Sequence, residues 1–286
     1  MRQSITVVGS INLALVVRCD QLPKAGETVL GDGFAKFPGG KGANQALAAS
    51  RLGADVSMIG CVGADDEAEA ALALLRADGV DLGRCRVSET APTGVAMIAV
   101  APDGDNQIVV ASGANSALDV ADLPEQIEGA LIGQLETPVA VLAEAACRCA
   151  GLVALNLAPA ADVPSGLLER ADVLIVNEAE GAHYGMDRLF AAGGLTALTL
   201  GARGAVLFRD GQEIARVAPP TVEAIDATGA GDTFVAALTV ALLEEMSPAA
   251  ALAFACAAGA ESTLKAGAQP SLPARADVEG LMARAD

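Results

Sequence analysis

Short apolar runs of four to six residues, separated by helix-length segments, constrain this chain most. Runs at 4–9 (SITVVG), 55–60, 131–135, 152–156, 173–177, 195–200 and 205–209 read as strands. Segments 42–52, 65–77, 138–149, 178–184, 230–244 and 248–265 read as helices, and the second carries Asp and Glu in its first turn, as the helix dipole favours. Strands that are apolar throughout must be covered on both faces. That demands a mostly parallel sheet between two helical layers, a three-layer α/β/α sandwich. Ligands of such sheets bind beyond the carboxyl ends of the strands. Function is therefore expected at Gly9-Ser10-Ile11-Asn12, Gln134-Leu135-Glu136 and Asn177-Glu178.

Two stretches break the rhythm. Residues 14–37 and 93–111 read as short strands with turns, including Ala101-Pro102-Asp103-Gly104. They suggest a small β-sheet lid outside the main sheet. No repeat or linker divides the chain, so residues 1–286 read as a single domain.

With 52% hydrophobic but only 2% aromatic residues and no Trp, the core must be built from Ala, Val, Leu and Ile. Stacking platforms for single-stranded nucleic acid are not in evidence. A net charge of −18, from 36 acidic and 18 basic residues, repels phosphate backbones and anionic lipid. Nucleic-acid and membrane partners are not expected, and an anionic ligand needs a local site that overcomes the global field. The six cysteines (Cys19, Cys61, Cys85, Cys147, Cys149 and Cys256) form no C-x-x-C pair and read as small buried hydrophobes. That usage, with no signal-peptide pattern after Met1-Arg2-Gln3 and no membrane-length apolar run, fits a reducing cytoplasm. The one histidine, His183, reads as packed or solvated.

The most informative segment is Asp226-Ala227-Thr228-Gly229-Ala230-Gly231-Asp232-Thr233-Phe234, which opens an apolar helix. Glycines permit close backbone approach, and a helix start offers free N–H groups and partial positive charge. Together they make a cradle for a phosphoryl group. Asp232 at its edge can take a proton from an incoming hydroxyl. The plain alternative is a helix N-cap role for Asp226 or Asp232. A second turn, Pro38-Gly39-Gly40-Lys41-Gly42-Ala43-Asn44-Gln45-Ala46, places a lysine at a helix start, against the dipole. It lacks the Walker A spacing, and Gly9-Ser10-Ile11-Asn12 lacks the Gly-x-Gly-x-x-Gly dinucleotide fingerprint.

The string DATGAGDTF resembles the C-terminal signature of the ribokinase/PfkB family of carbohydrate kinases, and the Gly-Gly-Lys-Gly-Ala-Asn turn resembles its N-terminal signature, most closely in the ribokinase branch. The likeness runs from about residue 5 to 273. It implies a ribokinase-like fold and an ATP-dependent carbohydrate kinase. Asp232 becomes the catalytic base, and Gly229, Ala230 and Gly231 the anion hole. Asn12, Gly40, Lys41, Asn44 and Glu136 become contacts to the substrate. Asn177 and Glu180, in Asn177-Glu178-Ala179-Glu180, take the place of the family's Asn-x-x-Glu element, associated with Mg²⁺ and phosphate. A plain helix first turn rich in Glu is the alternative for that stretch. Thr199, Gly201 and Gly204 fall beside the nucleotide, with Asn177, Gly229 and Gly231. Asp226, Thr228, Gly267 and Ser271 correspond to a loop that holds K⁺. The likeness also implies a homodimer formed through the lid.

Two departures stand out. Ribokinases carry Asp two residues after the Asn of the first motif, where it binds vicinal hydroxyls of the sugar; here that position is Ala14. Ribose is thereby put in question, and a nucleoside kinase of the same family is the alternative. A non-catalytic sugar- or nucleotide-binding protein is the alternative of another class. Residues 185–195 are also too few for the usual full connecting helix; a short turn of helix fits there, with a less covered sheet edge.

Overall fold

The computed structural model describes residues 2–102 and 105–285. Asp103 and Gly104, half of the turn expected at 101–104, lie outside the described residues. The strands are β1 (Ser4–Val8), β2 (Asn12–Cys19), β3 (Gly31–Gly39), β4 (Asp55–Gly63), β5 (Asp81–Ser88), β6 (Gly94–Val100) and β7 (Asn106–Ala111). They continue as β8 (Ala130–Gly133), β9 (Val153–Asn156), β10 (Val173–Asn177), β11 (Leu195–Thr199), β12 (Ala205–Arg209) and β13 (Gln212–Val217). The helices are α1 (Lys41–Arg51), α2 (Asp66–Ala77), α3 (Val139–Arg148), α4 (Ser165–Arg170), α5 (Glu178–Tyr184), α6 (Met186–Ala191), α7 (Ala230–Leu243), α8 (Pro248–Ser262), α9 (Ala268–Ser271) and α10 (Arg275–Ala285).

Nine strands form the central sheet in the order β13-β12-β11-β10-β9-β8-β1-β4-β5. It is parallel from β5 to β11, and β12 and β13 add an antiparallel margin. Alternate residues of each strand serve opposite faces. Val173 and Ile175 of β10 join the core under α1, α2, α7 and α8, while Leu174 and Val176 join the core under α3, α4 and α6. Helix α7 is buried from Asp232 to Ala241, so its apolar character all round is what its position requires.

The remaining strands form the second sheet, in the order β3-β2-β6-β7, from the two stretches read as a lid. Two strands, β5 and β13, and three helices, α4, α9 and α10, were not legible in the apolar pattern. The 185–195 connection holds the six-residue α6, whose Leu189 is fully buried. The less covered sheet edge expected there does not arise: β11 lies inside the sheet, with Leu195, Thr196 and Ala197 buried. The cysteine expectation needs one correction. Cys19, Cys61, Cys149 and Cys256 are buried and Cys85 is half-buried, but Cys147 is exposed, because α3 turns that position outward. His183 is exposed and stacks edge-on against Tyr184.

Candidate active site

Two glycine turns meet at the carboxyl ends of the central strands. The first leads from β3 into α1. Gly40 has φ 90°, and a Cβ there would come within 2.8 Å of the Asn12 nitrogen and the Ser10 carbonyl oxygen. Glycine alone suits that conformation and that proximity. Lys41 and Asn44 then fall in the first turn of α1. The second turn leads into α7, where Gly229 is left-handed at φ 85° and no side chain caps the helix. Of the three amides expected to form an anion hole, that of Ala230 donates to the Ala227 carbonyl at 3.1 Å. Gly229 and Gly231 line the cavity.

Asp232 lies in this first turn and is 6% exposed. Asn44 Nδ2 donates to its Oδ2 at 2.8 Å, and Gln45 Nε2 donates to its Oδ1 at 2.9 Å. The two turns, 188 residues apart in sequence, are thus joined by a direct contact. A cavity of about 240 Å³ opens beside them, lined by Lys41, Asn156, Asn177, Glu180, Thr199 and Asp232 as well as the two glycines.

Burial pushes the Asp232 carboxyl above its usual range, although Lys41, Asn44 and Gln45 pull it back. The charge of Asp232 raises the Lys41 ammonium above its usual value, against the effect of burial, with Glu136 and Glu180 adding to the rise. The cavity of this acidic protein therefore holds a firmly protonated lysine. Glu180 is raised by burial, with the Asn177 N–H and Lys41 acting in the opposite sense.

Glu136 ties the first strand end to α1: its Oε2 accepts from Ser10 Oγ at 2.5 Å and from the Lys41 N–H at 3.2 Å. The Asn12 Oδ1 accepts from Asn115 Nδ2 at 2.7 Å. Asn44 Oδ1 is buried without a hydrogen-bond partner. A buried acceptor left open in this way suits a ligand hydroxyl.

Asn177 and Glu180 form a reciprocal cap of α5, with Asn177 N–H on Glu180 Oε2 at 2.8 Å and Glu180 N–H on Asn177 Oδ1 at 2.9 Å. The plain helix-start reading of this stretch therefore holds, although both residues also line the cavity. Among the described residues no group of three His, Cys, Asp or Glu side chains can hold a metal ion. Any Mg²⁺ here would need water and phosphate oxygens to complete its shell. Thr199 lines the cavity, but Gly201 and Gly204 do not. A Cβ at Gly204 would lie 1.9 Å from the Val217 carbonyl oxygen, so this glycine serves the approach of β13.

Asp226 accepts from the Thr228 N–H and the Gly267 N–H, both at 2.8 Å. Three of the four residues read as a cation loop are thus together. The hydroxyl of the fourth, Ser271, donates to the Ala268 carbonyl. The loops holding Ser10 and Gln134 were expected to carry function, but neither residue was given a role, and sequence reasoning missed Gln45, Asn115 and Asn156 as parts of the site. The strand-end rule could have singled out Asn156, the last residue of β9.

Three known proteins have this architecture or sequence. The ribokinase of Bacillus subtilis is 40% identical over 295 residues, covering 98% of this chain and 99% of the relative. The crystal structure of ribokinase from Thermotoga maritima has a TM-score of 0.89 at 32% identity and covers 98% of this chain and 99% of its own. Ribokinase of Arabidopsis thaliana, solved with ribose and ATP, has a TM-score of 0.87 at 30% identity, with 99% of both chains covered. Residues 2–275 match the pfkB family carbohydrate kinase domain. With its two glycine turns meeting at one buried carboxylate, the chain belongs to the pfkB family of carbohydrate kinases.

Proposed function

We propose that residues 1–286 form one kinase domain that transfers the γ-phosphate of ATP to a hydroxyl of a small sugar, with Asp232 as general base. The observation that carries this reading is the 2.8 Å bond between Asn44 and Asp232, beside a cavity that also holds Lys41. The Arabidopsis relative bound to ribose and ATP supports the pairing of these two substrates.

The sugar binds between Asn12, Gly40, Asn44 and Glu136, and one hydroxyl donates to Asp232. Asp232 takes that proton while the hydroxyl oxygen forms a bond to the γ-phosphorus. The bond from that phosphorus to the bridging oxygen breaks, and its electron pair stays on ADP. The Gly229 and Gly231 amides and the Lys41 ammonium balance charge on the phosphoryl oxygens. Asn177 and Thr199 border the nucleotide. Mg²⁺ supplies charge neutralisation on the phosphates; Glu180 suits it through a bound water, since the cap engages Oε2 and leaves Oε1. The Asp226 carboxylate, with the backbone of Thr228 and Gly267, suits a K⁺ ion that stiffens the cradle.

Among the described residues no helix is long and apolar enough to cross a membrane. We place the enzyme in the cytoplasm and pair two copies through their lids, where Phe34, Met97 and Val109 are 61%, 62% and 69% exposed.

An ATP-consumption assay over pentoses, hexoses and nucleosides tests the acceptor class. Turnover with nucleosides alone would move the acceptor to that class. In Asp232→Asn, kcat is expected to fall by about 10²–10⁴-fold with KM values nearly unchanged. Near-parental turnover in that variant rejects the base. In the parent, kcat/KM should be lost as pH falls, along a limb above the ordinary carboxylate value of about 4, because burial raises Asp232 in the free enzyme and the base works only when ionised.

A further inference from the structure

Asp232 is held by a second amide besides Asn44. Gln45 Nε2 donates to its Oδ1 at 2.9 Å and also to Asn156 Oδ1 at 3.1 Å. The carbonyl oxygen of Gln45 accepts from Gln134 Nε2 at 2.6 Å. Gln45 and Gln134 are both fully buried. A line of amides therefore runs from the end of β8 through α1 to the first turn of α7.

The sense of this line follows from the carboxylate, which can only accept. Gln45 must present its NH₂ group to Asp232. Its carbonyl oxygen then faces Gln134, which must present its own NH₂ group. The cost appears at the far end, where Gln134 Oε1 is buried without a partner. It lies against Gly9, where a Cβ would come within 1.9 Å of it. A buried unpaired carbonyl is unfavourable, and reversing both amides would set an oxygen against the charge of Asp232.

The geometry points to Gln45 as the positioning residue of the base, with Gln134 fixing the sense of the Gln45 amide. Together they keep Oδ1 occupied by a fully buried donor. Oδ2, which accepts from Asn44 at 2.8 Å, is assigned as the oxygen that takes the substrate proton. The inference rests on the reading of Asp232 as base.

Charged groups near Asp232 are Lys41 of α1 and Glu136 after β8, with Glu180 of α5 acting on Lys41. Helix α8 carries Glu261 near the end where Gly259 approaches Ala230. Strands β8 and β9 bring no ionisable side chain. None of these groups replaces a neutral donor on Oδ1.

The test compares Gln45→Met and Gln134→Met with the parent in kcat, sugar KM and the pH dependence of kcat/KM. Removal of a hydrogen bond to a charged group should raise the acid limb in Gln45→Met by about one pH unit or more. Its kcat should fall by about tenfold or more, with sugar KM within about threefold. Gln134→Met, which does not touch Asp232, should shift the limb the same way by a smaller amount. A folded Gln45→Met with parental kcat and limb, alongside an inactive Asp232→Asn, overturns this inference and leaves the base in place. If Gln45→Met fails to fold, an unmoved limb in Gln134→Met overturns it. An active Asp232→Asn removes the base, and this inference with it.

Discussion

The central sheet and the lid draw on similar aliphatic residues but surround them differently. From β8 to β10 every strand residue before Asn177 is buried, whereas all six residues of β7 are exposed. The central strands end in polar side chains, such as Asn156 and, just beyond β8, Gln134, that are joined through Gln45 of α1. The lid offers mostly apolar cover. Its register puts Ala14, Phe37 and Ala96 on one face. Phe37 lies against Gly267, beside the cradle: a Cβ there would be 2.9 Å from the ring. The opposite face carries the Lys36 ion pair to Glu67 of α2. On the proposed function, the Ala14 face overlooks the sugar, the buried strand ends hold the chemistry, and the lid selects what reaches it.

The largest effect that would sharpen this contrast comes from giving the lid a hydrogen-bonding group. Ala14→Asp adds a carboxylate above the sugar, and hydrogen bonds to charged groups contribute about 1.5–3 kcal/mol each. The kcat/KM for ribose should rise by about tenfold or more, mainly through KM. A sugar lacking hydroxyls on its lid-facing edge should gain nothing. An unchanged order of preference across a pentose and deoxypentose panel would show that this face does not read the substrate.

The same contrast decided what was legible in the sequence. The strands β8 to β12 announce themselves because burial on both faces demands unbroken apolar runs. The margins β5 and β13 do not: each has a single buried position, Ser88 or Ala215, and β5 contains Asp81, Arg84 and Arg86. The lid was legible as an interruption of rhythm. In the site, the glycine turns stood out because their backbone demands local residue types. The Gln134, Gln45 and Asn156 contacts left no local trace, since partners 89 and 111 residues apart have no common period. Gly204 shows the converse limit, because a glycine that admits a neighbouring strand looks in sequence like one that admits a ligand.

A smaller effect should follow from cutting the lid at its root. Asp65 caps α2 by accepting from the Ala68 N–H at 3.0 Å. It also accepts from the Thr93 N–H at 2.7 Å and the Thr93 hydroxyl at 2.5 Å, just before β6. That hydroxyl in turn accepts from the Gly63 N–H at 2.9 Å. Asp65→Ala removes the cap and the anchor together. Loss of such a cap costs about 0.5–2 kcal/mol of stability. Sugar KM should rise several-fold while kcat changes less, because Asp232 and its partners are untouched. If kcat falls and KM does not, the lid is part of the chemical apparatus and the division drawn here fails.

The smallest effect on turnover should come from the lid face opposite Ala14, beyond its contact with α2. Val17 pairs with Phe34, and Met97 pairs with Val109, so the four share the face opposite Ala14. All four are exposed in the single chain. Burying such side chains is worth about 1.5–3 kcal/mol each, enough for a few of them to hold two copies together. A charge at their centre has to be desolvated before the faces can meet. Val109→Asp should therefore halve the apparent mass in solution while kcat stays within about twofold, since the buried strand ends belong to one chain. A parent protein already of single-chain mass would remove the second copy. A large loss of kcat on separation would show that the lid needs its partner to cover the sugar, and would make selection a property of the pair.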